Sequence, residues 1–363
     1  MYSLGERKEI VETVTGGSPT FVYGYPYPEI DLANDTDVGV KAMHNFYLGQ
    51  YRVGTAYNFN KGASIGKNGY EREIAAKWIR YYYWARPDGE QPNPKKYLYL
   101  ELVPMSSPFD IAGMTTLTYR MIDGKPDKVL TYVPSIRRPK RSSGANRSDP
   151  FLGLDFTSDD GNGWAGNNSS MKWTFIEERT ILHPMAPSLA NGPAQFRKKP
   201  DGSWVSPPDE EAIYPACLTE GWKRQTDGLA AWAPTNLVWI PRTYWVIKSE
   251  PLDSAYNSGT QFFYVDRNTQ TVNYRVIHDK DGNYWKTLLI SWQPASWGDQ
   301  DSGGERISFG SVIFYVSVDD KTDHASWSMS SGTIRGFRGE QGFNDPKIQP
   351  TQFTPSSIKT SSK

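Results

Sequence analysis

Residues 127 to 160 bring together side chains that could do chemistry, because a basic run is followed within a few residues by an acidic loop. The cations are Arg137, Arg138, Lys140, Arg141 and Arg147, and the carboxylates are Asp149, Asp155, Asp159 and Asp160. Arginine binds carboxylates through paired, charge-assisted hydrogen bonds. This order therefore predicts a loop that ion pairs hold across the edge of a sheet. A solvated hairpin is the alternative interpretation, since exposed ion pairs contribute little stability.

The same carboxylates could instead serve a hydrolytic enzyme. They precede Trp164 and Trp173 in the chain, and a glycosidase places two carboxylates on either side of a bound sugar, which aromatic rings could hold. Neither this segment nor residues 279–283 carries the full calcium-loop pattern with its closing glutamate. Ion pairing to Arg137, Arg138 or Arg147 explains the acidic loop more simply, and turn formation explains residues 279–283.

Histidine and cysteine show no recognised metal spacing. Cys217 is the single cysteine, so the chain has neither a disulfide framework nor a cysteine metal cluster. The four histidines are His44, His183, His278 and His324. They are scattered, and no pair has the spacing of a helical zinc motif. A catalytic triad assembled from distant residues stays open, but the sequence predicts no metal site and no cofactor.

Phosphate and nucleic-acid binding find little support in the charge pattern. Gly161-Asn162-Gly163 does not lie between a strand and a helix, as a phosphate-binding loop does. The basic run is short and is quickly neutralised, and over the whole chain Lys plus Arg and Asp plus Glu both number 40. We therefore expect no nucleic-acid partner. The basic run could still meet an anionic lipid head group or the acidic face of a partner protein.

Composition and periodicity indicate a β-rich protein. Aromatic residues make up 14% of the chain, and 32 glycines and 26 prolines supply many turns. Period-two alternation between short turns predicts an antiparallel meander. We predict strands at residues 51–60, 74–84, 97–103, 114–122, 129–133, 172–182, 237–247, 261–266, 271–278, 284–292 and 305–318. Helices are predicted at residues 3–14 and from Thr36 or Asp37 to about Phe46.

Two regions depart from this pattern. Residues 183–234 contain many prolines and no sustained periodicity, so we expect either an excursion that covers one open face of the sheet or a lid. Residues 345–363 are rich in Pro, Ser, Thr and Lys, which predicts a loosely held C-terminal tail.

The residue pattern of this basic and acidic segment resembles that of a known family. A tyrosine and proline at a strand end, paired arginines and an R-S-D-x-F-x-G-x-D-F-T-x-D-D run are similar to a segment of a large bacterial family of unknown function, the outer-membrane lipoprotein-sorting-like periplasmic proteins. The matching residues are Tyr132, Pro134, Arg137, Arg138, Arg147, Ser148, Asp149, Phe151, Gly153, Asp155, Phe156, Thr157, Asp159 and Asp160. Residues 24–28, 44–46, 242–247, 262–266 and 278–286 also resemble the family, although the family usually has an aromatic residue at His278 and an aliphatic one at Tyr284.

This resemblance implies one continuous domain over residues 1–344 with the fold of the lipoprotein carriers LolA and LolB. That fold is a strongly curved antiparallel sheet, an incompletely closed β-barrel whose mouth is closed by helices and loops. A curved sheet too wide to be filled by its own side chains leaves an apolar cavity that suits an acyl chain. The candidate lining residues are Phe262, Tyr264, Val272, Tyr274, Leu288 and Ile290. Ordinary core packing is the alternative role for each of them.

We therefore predict a non-enzymatic periplasmic carrier of a hydrophobic ligand, either a lipid or an acylated protein. The resemblance implies an inner-membrane exporter as a partner, and it leaves room for peripheral contact with the outer membrane. Residues 1–10 lack the apolar run of a signal peptide, so we expect the export segment to have been removed. Two alternatives stay open: a structural adaptor that docks a membrane partner through residues 137–160 without a ligand, and a carboxylate-based hydrolase on a related fold.

Overall fold

Antiparallel β-strands are the main element of the residues that the structure describes. The computed structural model describes residues 25–49, 53–84, 86, 88–122, 124–142, 147–185, 194–195, 197–205, 218–219, 228–235, 237–297, 307–329, 332–334, 337–339 and 341–360. The predicted helix at residues 3–14 and Cys217 both lie outside these ranges.

The strands alternate in direction along most of the described chain. The first seven are β1 (Thr55–Gly66), β2 (Gly69–Tyr82), β3 (Tyr97–Ser107), β4 (Thr115–Met121), β5 (Lys128–Val133), β6 (Arg138–Ser142) and β7 (Met171–Met185). Five short strands follow as β8 (Ala194–Gln195), β9 (Arg197–Lys198), β10 (Trp204–Val205), β11 (Leu218–Thr219) and β12 (Pro234–Thr235). The remainder are β13 (Val238–Pro251), β14 (Gln261–Asp266), β15 (Val272–His278), β16 (Tyr284–Trp297), β17 (Ile307–Asp319), β18 (His324–Met329), β19 (Gly332–Ile334), β20 (Phe337–Gly339) and β21 (Gln341–Phe343). The predicted strand pattern is confirmed, with ends that differ by a few residues.

One large sheet holds most of these strands. Its antiparallel order is β6-β5-β4-β3-β2-β1-β18-β17-β16-β15-β14-β13-β7, and β21 takes the place of β18 beside the first residues of β1. Among the described residues, the outer strands β6 and β7 do not pair with each other, so the sheet curves without closing. The predicted architecture, a curved antiparallel sheet that does not close into a complete barrel, is therefore confirmed.

Helix α1 (Val38–Gly49) fills the interior of the C-terminal half of the sheet. It begins directly after Asp37, whose carbonyl oxygen accepts the Lys41 amide at 3.0 Å, and it ends three residues beyond the predicted end. Gly39 brings the helix against β7, because a β-carbon there would lie 2.9 Å from the Phe175 nitrogen. The buried face of α1 packs on a core of inward-facing side chains from β7 and β13–β17: Trp173, Trp245, Ile247, Phe263, Val265, Val272, Ile290, Trp292 and Val312. This half of the barrel is therefore a packed core.

The C-terminal residues cover the outer face of the N-terminal half. Ile348, Phe353 and Ile358 are 7%, 3% and 0% exposed and pack against a cluster that contains Leu100 and Leu117. Helix α2 (Ser357–Thr360) and a 3₁₀ turn at Pro350–Gln352 shape this segment. The expectation of a loosely held tail is therefore wrong for residues 345–360. Its three apolar side chains, spaced five residues apart, find a matching outer sheet face that composition alone did not reveal.

The excursion at residues 183–234 is described only in part. Trp232 packs against the outer cluster formed by Leu289, Phe314 and Trp327, so this part of the excursion covers the opposite half of the sheet. Within the described ranges, no helix is long and apolar enough to cross a membrane.

Candidate functional site

A cavity of about 360 Å³ lies between the inner face of β1–β5 and the segment from Arg147 to Ala165. The strands supply alternate residues, as the pleat requires. The strand residues on this face are Ala56, Asn58, Asn60, Gly62, Ile74, Ala76, Trp78, Arg80, Tyr82, Tyr99, Glu101, Val103, Met105, Thr116, Thr118, Val129 and Thr131. On β2 these residues occupy alternate positions from Ile74 to Tyr82. The cavity therefore exists because α1 fills only the other half of the barrel.

Strand register gives the cavity an apolar end and a polar end. Ala76 of β2 lies opposite Met105 of β3, whereas Arg80 lies opposite Glu101. Glu101 in turn lies opposite Thr118 of β4. Because strands rise about 3.3 Å per residue, the two rows are separated by roughly 13 Å along β2. The cavity therefore extends along the strands from an end lined by apolar side chains to an end lined by charged side chains.

The apolar end is completed by the loop after β6. Leu154 and Phe156 are 7% and 4% exposed and pack with Ile74, Val103 and other inner residues of β2 and β3. Phe156 also meets Tyr315 of β17, with ring centroids 4.5 Å apart. The family-motif residue Phe151 lines this end as well. The motif therefore contributes apolar lining that its charged residues do not suggest.

The polar end is formed by paired charges. Arg80 Nε donates to Glu101 Oε2, and the Arg80 guanidinium lies 4.7 Å from the centroid of the Tyr99 ring. Arg147 Nε donates to Asp159 Oδ1 at 2.5 Å, and its Nη1 donates to Asp127 Oδ2 at 3.0 Å. Burial lowers the pKa of Arg147, but the two carboxylates outweigh burial and hold that pKa above its usual value. Arg147 therefore stays positively charged, and its two carboxylate partners hold its side chain in place.

The loop over the cavity is attached to the C-terminal half of the sheet by Asp155 and Asp160. Asp155 Oδ2 accepts from Ser326 Oγ at 2.7 Å and lies 2.8 Å from His324 Nδ1. Asp160 Oδ1 accepts from Arg275 Nη1 of β15 at 2.5 Å. Each contact joins residues more than one hundred positions apart in the chain. Local sequence patterns therefore could not predict these partners.

Within the loop, Asp159 and Asp160 also organise the local backbone. Asp159 Oδ2 accepts from Tyr256 OH at 2.9 Å. Asp160 Oδ2 accepts from the Thr157 amide at 2.6 Å, and Thr157 Oγ1 accepts from the Asp159 amide at 3.3 Å. This capping box begins a 3₁₀ turn at Ser158–Gly163. The acidic run therefore positions the loop.

The remaining motif residues lie partly in the loop after β6 and partly on or beside strands β5 and β6. Asp149 Oδ1 accepts from Asn257 Nδ2 at 2.7 Å, and Gly153 adopts φ of +78°, where glycine is favoured. Tyr132 lies half-buried on β5 opposite Thr115. Arg137 and Arg138 are exposed, and among the described residues neither forms an ion pair with the acidic loop. Of the three arginines that were expected as alternative partners of the acidic loop, Arg147 is the one that pairs with it in the described part of the chain. The partners that the sequence did not indicate are Asp127, Tyr256, Arg275, His324 and Ser326.

None of the six predicted lining residues borders the cavity. Val272 and Ile290 belong to the core beneath α1, and Leu288 is fully buried. Phe262 and Tyr264 alternate with the inward-facing Phe263 and Val265, so they lie on the outer face of β14. Tyr274 also lies on the outer face, where it packs near Leu289. The strands were predicted correctly, but helix α1 fills the interior beside them. The inward-facing side chains of these strands therefore form packed core rather than cavity lining.

The geometry gives no support to the two catalytic alternatives. Trp164 and Trp173 are 1% and 8% exposed and pack edge-to-face with Phe263 in the core, so neither offers a face to a sugar. A G-x-S-x-G sequence at residues 62–66 lies inside strand β1, whereas a nucleophile elbow needs a sharp turn from strand to helix. Within the described part of the chain, no group of three or more His, Cys, Asp or Glu side chains could hold a metal ion.

Comparisons with known proteins agree with this architecture. The sequence profile of a family described as protein of unknown function (DUF1329) matches residues 6–306. A domain named for outer membrane lipoprotein sorting, from Vibrio parahaemolyticus, superposes with a TM-score of 0.52 at 12% identity, covering 84% of this chain and 92% of that chain. A DUF1329 family protein from Desulfovibrio piger superposes with a TM-score of 0.50 at 11% identity and the same coverage. No curated protein matches the chain. At these identities the likeness shows the fold alone.

Proposed function

The chain belongs to the DUF1329 family of proteins of unknown function, and we propose that it is a non-enzymatic periplasmic carrier that holds a lipid or an acyl chain in the cavity between β1–β5 and residues 147–165. One observation carries this proposal. The cavity is graded along the strands, with Ala76 and Met105 at one end and the Arg80–Glu101 pair at the other. A molecule with a hydrocarbon chain and a polar head matches that order.

The size and chemistry of the cavity support such a ligand. Its volume of about 360 Å³ falls in the range of small-molecule sites. Each buried CH₂ group contributes about 0.8 kcal/mol, so an acyl chain can bind with few polar contacts. The apolar end offers Ile74, Val103, Leu154 and Phe156 as its surroundings. The likeness in fold to a domain named for lipoprotein sorting supports the same class of ligand.

A carrier also needs partners that supply and receive its ligand. We propose an inner-membrane exporter on one side and peripheral contact with the outer membrane on the other. The exposed cations of β6, which is the neighbour of the cavity-lining strand β5, support contact with anionic head groups. These cations are Arg138, Lys140 and Arg141.

Native mass spectrometry with lipid extraction tests the carrier proposal on protein purified from a bacterial envelope. We expect one lipid to co-purify with the wild type. Ala76→Phe should reduce its occupancy, because the added ring projects into the apolar end. Tyr264→Phe is the matched control on the outer face and should retain the lipid. Circular dichroism verifies that each variant is folded. An empty wild type that also fails to take up fatty-acid and phospholipid probes would contradict the proposal.

The structural adaptor is the second candidate, and the cationic strand β6 is the observation that favours it. An adaptor would need the exposed cations of Arg138, Lys140 and Arg141 but not the cavity. Partner capture then separates the two functions. Loss of a partner in a β6 charge-reversal variant, together with an empty cavity in the wild type, would favour the adaptor.

A further inference from the structure

Two neighbouring strand connections at one end of the barrel project apolar side chains into solvent. Strands β3 to β6 alternate in direction, so the β3–β4 and β5–β6 connections both leave from this end. Phe109, in the first connection, is 97% exposed, and Ile136, in the second, is 45% exposed. Since adjacent strands lie about 4.8 Å apart, the centres of the two connections are roughly 10 Å from each other. We refer to residues 107–114 and 134–141 together as the rim.

The fold holds both exposed side chains on ordered backbone. In the first connection, Ile111 is 7% exposed and packs at the apolar end of the cavity. In the second connection, a 3₁₀ turn at Pro134–Ile136 is closed by the Arg137 amide, which donates to the first carbonyl oxygen of the turn at 3.1 Å. The rim therefore presents Phe109 and its apolar neighbour in fixed positions.

The rim is also strongly cationic. Arg137, Arg138, Lys140 and Arg141 are exposed, and in the described part of the chain they form no ion pair. Asp110 is the single carboxylate in the rim sequence, and it is already paired with an arginine of β2 at 2.7 Å. A membrane surface that contains anionic lipids attracts each Lys or Arg held close to it. The charge of the rim is therefore complementary to such a membrane.

The direction of the cavity matches a membrane at the rim. Met105 and Met114, at the base of the β3–β4 connection, line the cavity, and their backbones are joined by a hydrogen bond of 2.8 Å. The apolar end therefore lies next to the rim, and the Arg80–Glu101 pair lies farther along the strands. A lipid leaves a bilayer head first, because its hydrocarbon chain stays in the apolar layer longest. Its head would then move toward Arg80 and Glu101, and its chain would remain nearest the rim.

We propose that the rim docks the protein on a membrane that contains anionic lipids, with Phe109 and Ile136 inserted among the head groups and the four cations against lipid phosphates. This inference rests on the proposed function and names the surface through which the carrier meets a membrane. Exposed apolar side chains beside cations are the combination that binds a membrane interface. Phe109 favours a bilayer over an acidic protein partner, because a phenyl ring gains little from a charged surface.

Co-sedimentation with lipid vesicles tests the docking on the full chain. We expect the wild type to bind phosphatidylcholine vesicles that contain phosphatidylglycerol, and to bind pure phosphatidylcholine vesicles much more weakly. Phe109→Ser should lower the partition coefficient on the anionic vesicles about tenfold, because the ring is lost from the head-group layer. Arg137→Glu/Arg138→Glu should lower it by more than about tenfold, and added salt should weaken binding of the wild type.

Matched controls come from the opposite end of the barrel. Lys95 and Lys96 precede β3 there and are exposed, and Leu182, near the end of β7, is 55% exposed. Lys95→Glu/Lys96→Glu and Leu182→Ser should bind the anionic vesicles as the wild type does. Control variants that lose binding as strongly as the rim variants would overturn the assignment to the rim. Circular dichroism verifies that each variant is folded.

A dye at position 109 distinguishes insertion from attraction by charge alone. Cys217 is the single cysteine, so Phe109→Cys in a Cys217→Ser background can be labelled at one site with an environment-sensitive fluorophore. Its emission should shift to shorter wavelength on the anionic vesicles, because the site enters a less polar layer. Vesicle binding without that shift would overturn the insertion of this side chain.

The outcomes separate this inference from the function on which it rests. If the wild type binds neither kind of vesicle but still co-purifies with a lipid, the docking surface is overturned while the carrier function stands. If it binds no vesicles and also holds and takes up no lipid, both are overturned. Capture of an acidic protein that depends on Arg137 and Arg138, without vesicle binding, would assign the rim to a protein partner and overturn the docking on a membrane.

Discussion

Arg275 and Asp160 form an ion pair across 2.5 Å in which both side chains are 2% exposed. Arg275 lies on β15, and Asp160 lies in the loop that covers the cavity. Gln261 Oε1 accepts a second hydrogen bond from Arg275 Nε at 2.7 Å, and the Trp164 ring lies 5.1 Å from the guanidinium. One buried pair therefore connects the packed half of the barrel to the cover of the hollow half.

Breaking this pair should destabilise the whole protein. Asp160→Ala leaves a buried cation without its partner, so we expect the free energy of unfolding to fall by about 3–5 kcal/mol. Urea denaturation with linear extrapolation measures the change. Asp110→Ala is the matched control, because Asp110 pairs with Arg72 at the surface, where its side chain is 64% exposed.

The double variant Asp160→Ala/Arg275→Met tests whether the loss comes from the unpaired charge. The coupling free energy between the two substitutions should be about 1–3 kcal/mol in the direction of recovery. Strictly additive losses would mean that the two residues act independently, which the geometry does not allow.

The exposed cations of β6 should contribute little to stability. Arg138→Ala and Lys140→Ala are expected to change the free energy of unfolding by less than about 0.5 kcal/mol, since both side chains are exposed. Arg147→Ala should cost several times more, because it leaves Asp127 and Asp159 without a shared partner. Chemical denaturation compares the three variants directly. An Arg138→Ala loss as large as that of Arg147→Ala would refute this ranking.

The C-terminal segment should be part of the folded unit. Phe353→Ala is expected to lower the free energy of unfolding by about 3 kcal/mol, because a buried ring is removed from the outer cluster. Phe109→Ala is the matched control, since Phe109 is 97% exposed and should change stability by less than about 0.5 kcal/mol. Equal unfolding midpoints for the two variants would restore the interpretation of a loose tail.

Acid should destabilise the protein through His183. Burial lowers the pKa of this side chain from 6.5 to about 4. Between these two pH values the unfolded state binds a proton that the native state does not, so the free energy of unfolding falls as the pH falls, by at most about 3 kcal/mol. His183→Gln should reduce that fall when unfolding is measured at pH 6.5 and pH 4.5. An unchanged pH dependence in the variant would contradict the assignment.

His324 should act in the opposite direction. Burial lowers its pKa, but Asp155 and Glu71 outweigh burial and raise the pKa above 6.5. Its contribution to stability is therefore complete at low pH and is lost as the pH rises through the raised pKa. His324→Gln should reduce stability at pH 6 more than at pH 9. NMR titration of the two histidine rings gives an independent measurement of both directions.

The strands and helix α1 could be predicted from the sequence, because they depend on neighbours a few positions apart. Alternation placed Ala76 and Arg80 on one face of β2, and the matching motif indicated that residues 147–160 form a specific loop. The location of the cavity could not be predicted in this way. Alternation divides a strand into two faces, but it does not say which face α1 covers.

Local chemistry by itself therefore determined the elements of this protein, its β-rich class and the kinds of contact its acidic loop could make. Tertiary structure alone decided that Val272 and Ile290 are core while Asn60 and Ala76 border open space. It also decided that Asp160 pairs with Arg275 rather than with the nearby Arg138. The physical reason is the same in each case. Side-chain type sets what a residue can bond or bury, whereas its partner is set by packing between segments that lie far apart in the chain.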